Sequence, residues 1–484
     1  MNLQQVEHPP KRKTAPLLFA LAVGYLILRV VLLLNPGHTF DLDLYREWLL
    51  KVGQFGVAQV YRASNMDYPP LYAYILEPFA WMYRVISGFG PAGLVTLTAL
   101  VKLPPTLFDL GIGAVLWRYA RLNGHLVGAS SLVVAAYLLN PAVLFDVAYW
   151  GQPDSIHSFL VLVSFVTVGI GVKFWFPFTS SRIARRSSAI CLGWSLMMLG
   201  ALMKPLALPY FPLLLFITVL LTGIRGAIIG MTAAVVTGFT VFLPFLLTGQ
   251  GAEVFERVFA DMGAMPFTSA NAHNLWWAVG AWNDSEVPLI GPLTATQIGI
   301  GLFGISCLAL CWAAYRQHKM QSGALLPSQI LAVAAMVGFS FFIFSTHLHE
   351  NHLFAVVALL SPLVLEQRVW RSLFTLVSLA VFINCRLHDI PMDYPHWPYT
   401  IGGATGILHP PHYDRTYFVG ELLALWFSVV FNLAIYTWAM AGVFRPGSRN
   451  WLALLFQKNA TSPVADTFNF SYIFRGQHRN RNRL

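Results

Sequence analysis

The chain has 484 residues, 56% of them hydrophobic and only 11% charged, with a mean hydropathy of +0.60. Soluble proteins carry about 25% charged residues, so these values exclude a soluble globular protein and imply a multispanning membrane protein. The net charge of +10 fits Lys and Arg in cytoplasmic loops, and no nucleic-acid partner is expected. Cys191, Cys307, Cys311 and Cys385 lie mostly inside apolar runs without CxxC spacing and say little about redox compartment or metal.

Residues 1–14 are polar, with Lys11-Arg12-Lys13 at their end, and read as a cytoplasmic N-terminus. The apolar run 15–34 then spans outward. No A-x-A-like site follows it, so it reads as a retained anchor. Run 68–87 starts Tyr68-Pro69-Pro70 and carries Glu77, Pro78 and Arg84. It is assigned to the interface as an amphipathic or re-entrant segment, because that choice leaves Arg118, Arg121, Arg182, Arg185 and Arg186 in the cytoplasm.

Spans follow at 92–117, 126–145, 156–173, 188–203, 206–223, 226–246, 294–315, 327–345, 353–366, 370–384 and 419–442. With the first run they predict an all-α, polytopic transmembrane helical bundle of about twelve spans, both ends cytoplasmic. Outer loops cover 247–293 and 385–418. The expected organisation is a catalytic membrane module over 15–365, further spans with their outer loop over 366–450, and a basic cytoplasmic tail over 451–484. The tail, rich in Asn and Arg, suits disorder and attraction to acidic membrane lipids.

This topology puts every unusual polar cluster on the outer side. Asp41 and Asp43 open the first loop, and Tyr68-Pro69-Pro70 closes its polar part. Asn140 to Ser155 includes Tyr149-Trp150-Gly151-Gln152-Pro153-Asp154. Lys204-Pro205, Ser269 to Trp276 and Thr346-His347-Leu348-His349-Glu350-Asn351-His352 complete the set. Transporters place their polar sites near the midplane, between repeats with broken helices, and no internal repeat is evident. A one-sided cluster suits an enzyme acting on a lipid-linked substrate; a multispanning transporter or flippase for a lipid or sugar is the alternative.

The ordered motifs resemble the GT-C superfamily of integral-membrane glycosyltransferases. The likeness is greatest to the dolichyl-phosphate-glucose-dependent glucosyltransferases and to bacterial, mannosyltransferase-like relatives. It rests on Asp41 seven residues before Trp48, Asp67-Tyr68-Pro69-Pro70-Leu71, Asn140-Pro141 with the Tyr149–Gln152 turn, Lys204 to Pro212, Asn271 to Trp276 and Thr346 to Glu350. No likeness is found after residue 385. The form Tyr-Trp-Gly-Gln-Pro-Asp at 149–154 resembles the bacterial branch, which implies a bacterial plasma membrane rather than the endoplasmic reticulum.

The resemblance implies inverting transfer of a hexose from a polyprenyl-phosphate sugar donor to a lipid-linked or cell-surface glycan acceptor, on the extracytoplasmic face. It also implies Asp41 as the general base and His349 near the donor phosphate. Lys204 is a point cation suited to that phosphate, and Glu350 could orient His349 or pair with Lys204. Asp43 competes with Asp41: the two share a face on a strand but diverge by about 200° on a helix. Trp48, Tyr68, Gln152, Asp154, Asn271, His273 and His347 are further candidate substrate-binding residues. Asn271 and His273 would line the donor groove, or anchor a loop whose Trp276-Trp277 pair sits in the interfacial belt. Gln152 and Asp154 would hold the acceptor or a divalent ion, or Asp154 would cap a helix. His349-Glu350-Asn351-His352 is one residue short of the H-E-x-x-H zinc motif. No metal ligand is therefore assigned and no cofactor is required, a divalent metal being left open. Lys102 and Asp109, inside a span, read as a structural charge balance facing the bundle interior.

Overall fold

The computed structural model describes residues 14–90, 93–171, 182–260, 266–281, 283–321, 324–387, 400–401, 404–405 and 415–444. The N-terminal segment, most of the outer loop 385–418 and the basic tail of the sequence reading lie outside the described residues.

The first helix, α1 (Thr14–Leu34), turns into α2 (Thr39–Phe55) through an 82° bend. Gly37 makes that bend possible: its φ is +63°, and a Cβ there would lie 2.3 Å from the Tyr149 carbonyl. A short α3 (Val60–Ala63) leads to α4 (Leu71–Gly88), which packs along α2 and is anchored by Arg84 donating to the Gly53 carbonyl at 2.8 Å. Then come α5 (Leu94–Leu122), α6 (Val127–Leu138), the single turn α7 (Pro141–Val143) and a π-helical turn, Leu144–Trp150. The bundle continues with α8 (Asp154–Ile170), α9 (Arg182–Met203), a 3₁₀ turn Pro205–Tyr210, α10 (Phe211–Leu247) and α11 (Gly251–Phe255). The outer-loop region holds α12 (Leu275–Gly280) and a small antiparallel hairpin, β1 (Pro288–Ile290) with β2 (Leu293–Thr294). It feeds α13 (Ala295–Met320), whose Thr294–Gln297 capping box supplies the orphan amides of its first turn. The last helices are α14 (Pro327–Phe344), α15 (Phe354–Leu360), α16 (Arg368–Arg386) and α17 (Arg415–Phe444).

A mostly apolar helix that is buried nearly all round belongs at the centre of a bundle. Here α8, α14 and α15 occupy that place and pack on one another. Exposed apolar side chains such as Phe19, Ile224, Val235, Ile305 and Leu308 line the outside, as expected of a lipid-facing surface.

The protein is a polytopic helical bundle. Among the described residues seven helices are long and apolar enough to cross a membrane, or nine if two bent pairs each count as one span. The twelve apolar runs divide differently for local reasons. The first run continues through the 82° bend into α2, and the third bends by 43° between α6 and the turn ending at Trp150. Runs 206–223 and 226–246 fall in one stretch broken at Gly223, whose φ of +72° interrupts α10. Asp154–Ile170 and Phe354–Leu365 are apolar but shorter than 18 residues.

Two charged side chains inside the bundle, Asp109 and Lys102, each have protein partners. Asp109 accepts from Arg29 and, at 3.0 Å, from the Tyr137 hydroxyl. Lys102 donates to the carbonyls of Leu32 (3.1 Å), Asn35 (2.9 Å) and Tyr149 (2.7 Å). A cation there satisfies carbonyls left open at the end of α1. The charge balance inside the bundle thus uses Arg29 and three carbonyls; Lys102 and Asp109 do not pair with each other.

Candidate active site

Residues 39–55 form a helix, so Asp41 and Asp43 point apart. The Asp43 side chain is 72% exposed and bonds Arg46 at 2.8 Å; that of Asp41 is 20% exposed and turned toward the bundle. Three groups converge on one oxygen of Asp41. Trp150 Nε1 donates to Oδ2 at 2.6 Å, Gln152 Nε2 donates to it at 2.8 Å, and His38 Nδ1 stands 3.2 Å away.

The segment carrying Trp150 and Gln152 is shaped by its sequence. Asn140 caps the turn by accepting from the Ala142 amide, and Pro141 follows at the first helical position. The chain then widens into the π turn, a form often found at functional sites. Gly151, left-handed at φ +96°, ends it, and a Cβ there would lie 2.5 Å from Leu42. This close approach sets the indole and the amide against the first turn of α2.

From Asp41 a continuous set of polar contacts crosses the site. The Tyr45 hydroxyl donates to Gln152 Oε1 at 2.8 Å and lies 3.2 Å from the Tyr68 hydroxyl. The Lys204 ammonium sits 5.8 Å from the centre of the Tyr68 ring and donates to Asp154 Oδ1 at 2.6 Å. Asn351 Nδ2 donates to Asp154 Oδ2 at 2.7 Å. Proline disfavours helix in the residue before it. Lys204, before Pro205, is accordingly extended (φ −152°, ψ 130°), where α9 gives way to the 3₁₀ turn. Burial alone would lower its pKa, but Asp154 together with Tyr68 and Asp146 outweighs burial, and the ammonium is held more firmly protonated than an ordinary lysine. The Tyr68 hydroxyl is raised by burial, an effect that Lys204 only partly offsets.

Trp48 forms a buried aromatic cluster with Tyr45, Tyr68 and Tyr72, ring centres 5.2–6.1 Å apart, and its indole donates to Asn65 at 2.9 Å. It supports the wall of the site.

The 346–352 segment divides. His347, at φ +62°, faces the outer loop: its amide donates to the Phe267 carbonyl at 3.0 Å and its Nε2 lies 3.1 Å from Ser285 Oγ. Burial lowers its pKa, opposed by Glu286 and Asp284. His349 lies within electrostatic reach of Asp154 and packs edge-on against His352 at 5.1 Å. His352 is kept neutral by burial and by Lys204. Glu350 is buried, and Lys204 takes Asp154 rather than Glu350 as its carboxylate. Among the described residues, no group of three or more His, Cys, Asp or Glu is arranged to hold a metal ion.

Asn271 (φ +67°) and His273 lie in a buried loop segment. The His273 amide donates to Asn384, its Nδ1 is 2.7 Å from Ser428 Oγ, and its carbonyl accepts from Asn432. Burial pushes the imidazole down to about 3. This fits the anchoring role, but the interfacial-belt placement of Trp276 and Trp277 is overturned. Both indoles are buried, because Asn274 caps α12 and turns them inward, and Trp276 donates to the Phe344 carbonyl at 2.6 Å.

Sequence reasoning missed His38, Tyr45, Asn351 and the role of Trp150. His38 carried a signal, since it stands three residues before Asp41, one helical turn away. Tyr45, four residues after Asp41 on the same helix, carried a similar signal, whereas Trp150 and Asn351 become neighbours only through tertiary packing.

No protein-family model matches the chain. It is similar to the dolichyl pyrophosphate Glc1Man9GlcNAc2 alpha-1,3-glucosyltransferase of Chaetomium globosum, with 22% identity over 418 aligned positions. The alignment covers 75% of this chain and 77% of that relative. Together with the apolar helices, this similarity supports a membrane-embedded glycosyltransferase.

Proposed function

We propose that the protein transfers a hexose from a polyprenyl-phosphate sugar to a hydroxyl of a lipid-linked or other extracytoplasmic glycan, with inversion, Asp41 being the general base. The observation that carries this reading is the continuous polar path from Asp41 through Gln152, Tyr45 and Tyr68 to Lys204 and Asp154. It sets a carboxylate at one end and, at the other, an ammonium paired with Asp154, a carboxylate within electrostatic reach of His349. Transfer from a phosphate needs both: a base for the acceptor hydroxyl and a cation for the departing phosphate. A carboxylate within hydrogen-bond reach of the hydroxyl contributes roughly 10²–10⁴-fold.

Lys204 has three donors, of which Asp154 occupies one, so it can serve the phosphate without leaving its partner. The similarity to a dolichyl-linked glucosyltransferase supports the lipid-linked character of the substrates. The positive-inside distribution of Lys and Arg supports an outward-facing site and twelve crossings. The Tyr149–Asp154 turn is our sole ground for a bacterial plasma membrane; the similar protein is fungal and lends that choice no support. The chemistry as written requires no cofactor, and a chelator series would reveal any divalent ion.

The test is transfer of labelled sugar from polyprenyl-phosphate donors by the purified protein. Transfer by the wild type and none by Asp41→Asn is expected. Full transfer by the variant removes Asp41 as base. Absence of transfer with every donor, alongside substrate flux in liposomes, replaces the enzyme with a transporter.

A further inference from the structure

Asp41 lies beside a histidine that neither the motifs nor the similarity singles out. His38 sits immediately before α2, its Nδ1 3.2 Å from Asp41 Oδ2. Its ring packs on Trp150, centroids 4.9 Å apart and tilted by 54°, so the indole that donates to Asp41 also fixes the imidazole plane. The backbone leading into it is held as well: Gly37 donates to Asn35 Oδ1 at 2.9 Å, and Lys102 binds the Asn35 carbonyl. The His38 side chain is 22% exposed overall, while the Nδ1 that faces Asp41 is buried.

We infer that His38 is the proton-accepting partner of Asp41, a positioning residue that clears the base after each transfer. The inference rests on the reading of Asp41 as general base. In the step, the bond from the anomeric carbon to the donor phosphate oxygen breaks and its electron pair leaves with the phosphate. The acceptor oxygen bonds to that carbon as its O–H bond breaks, and the proton goes to the Asp41 carboxylate. The proton then passes to the His38 imidazole, whose Nδ1 stands 3.2 Å from that carboxylate, and the carboxylate is regenerated. A histidine suits this task because its charge changes near physiological pH. Trp150 and Gln152 can hold the carboxylate, but an indole and an amide cannot carry a proton away.

The experiment compares wild type, His38→Ala and His38→Asn in the sugar-transfer assay, with and without added imidazole. His38→Asn keeps a polar side chain beside Asp41 without a titratable nitrogen, and detergent-state Tm together with donor KM reports folding. The expected result is a kcat reduced about tenfold or more in both variants, with KM for donor and acceptor unchanged. Imidazole should restore His38→Ala but neither His38→Asn nor Asp41→Asn. Wild-type kcat in well-folded His38→Asn would overturn the proposal, as would a loss confined to KM or the absence of imidazole rescue. If His38→Ala does not fold, His38→Asn decides alone: reduced kcat at unchanged KM supports the relay and wild-type kcat refutes it. A wild type inactive with every donor would instead remove the function on which the inference rests.

Discussion

Two sets of charges occupy this bundle, and they are arranged in opposite ways. Inside it, Arg29 and Tyr137 meet Asp109 and three carbonyls meet Lys102. These groups are closed off by protein. At the candidate site, Asp41 and His38 are paired yet remain about one-fifth exposed, and Lys204 keeps donors beyond the one given to Asp154. A charge within a membrane protein is expensive in either place. Under the proposed function, access retained at Asp41 is what would distinguish a working charge from a structural one.

Four substitutions sharpen this contrast, in falling order of effect. Asp41→Asn should reduce kcat by roughly 10²–10⁴-fold with Tm nearly unchanged, as read by sugar transfer and thermal unfolding in detergent. Lys204→Ala should cost about a hundredfold in kcat, the scale for removing one charge-stabilising donor, and raise donor KM. Asp109→Asn should do the reverse. Breaking a buried pair costs roughly 3–5 kcal/mol, so Tm and yield should fall while surviving protein keeps its KM. Asp43→Asn, at an exposed side chain bonded to Arg46, should leave kcat within about twofold, since exposed pairs contribute roughly 0–1 kcal/mol. A large loss in the last case would erase the distinction between the two carboxylates.

The outer-loop anchor adds a pH signature. His273 is held neutral down to about 3, whereas an unfolded histidine titrates near 6.5. Between these values the unfolded chain binds the extra proton, so stability rises with pH and is complete above about 6.5. Acidification through this window should lower Tm, with a slope of up to about 1.4 kcal/mol per pH unit. His273→Asn should be less stable at neutral pH but lack that slope, which paired melts at pH 5 and pH 7.5 would reveal.

Much of this was legible in the residues themselves. The apolar runs announced the bundle, and the helical alternative for 39–55 carried the divergence of Asp41 from Asp43. Lys204 was visible because a lysine followed by proline breaks a helix with a charge at the break. The partners were hidden. Asp154 reaches Lys204 across 50 residues and Gln152 reaches Asp41 across 111, separations over which periodicity says nothing. The pair Trp276-Trp277 misled because two adjacent indoles resemble an interfacial belt, while the Asn274 cap that turns them inward is a tertiary arrangement. The number of long helices differs from the number of apolar runs for a related reason: hydropathy records how apolar a run is, and the bends at Gly37 and Gly223 are backbone geometry.

The Lys102 ammonium has one more consequence, best put in terms of machining tolerance. It is a single fixed point from which two separately made parts are measured. One is the end of α1 and the bend after it, which leads into His38 and the first turn of α2 with Asp41; the other is the 149–152 turn, which carries Trp150 and Gln152. Parts referenced to a common datum do not accumulate each other's errors, and catalytic groups must be placed to within about 0.5 Å. A helix sliding in a fluid bilayer would otherwise misalign the carboxylate with its donors, and one buried cation removes that freedom.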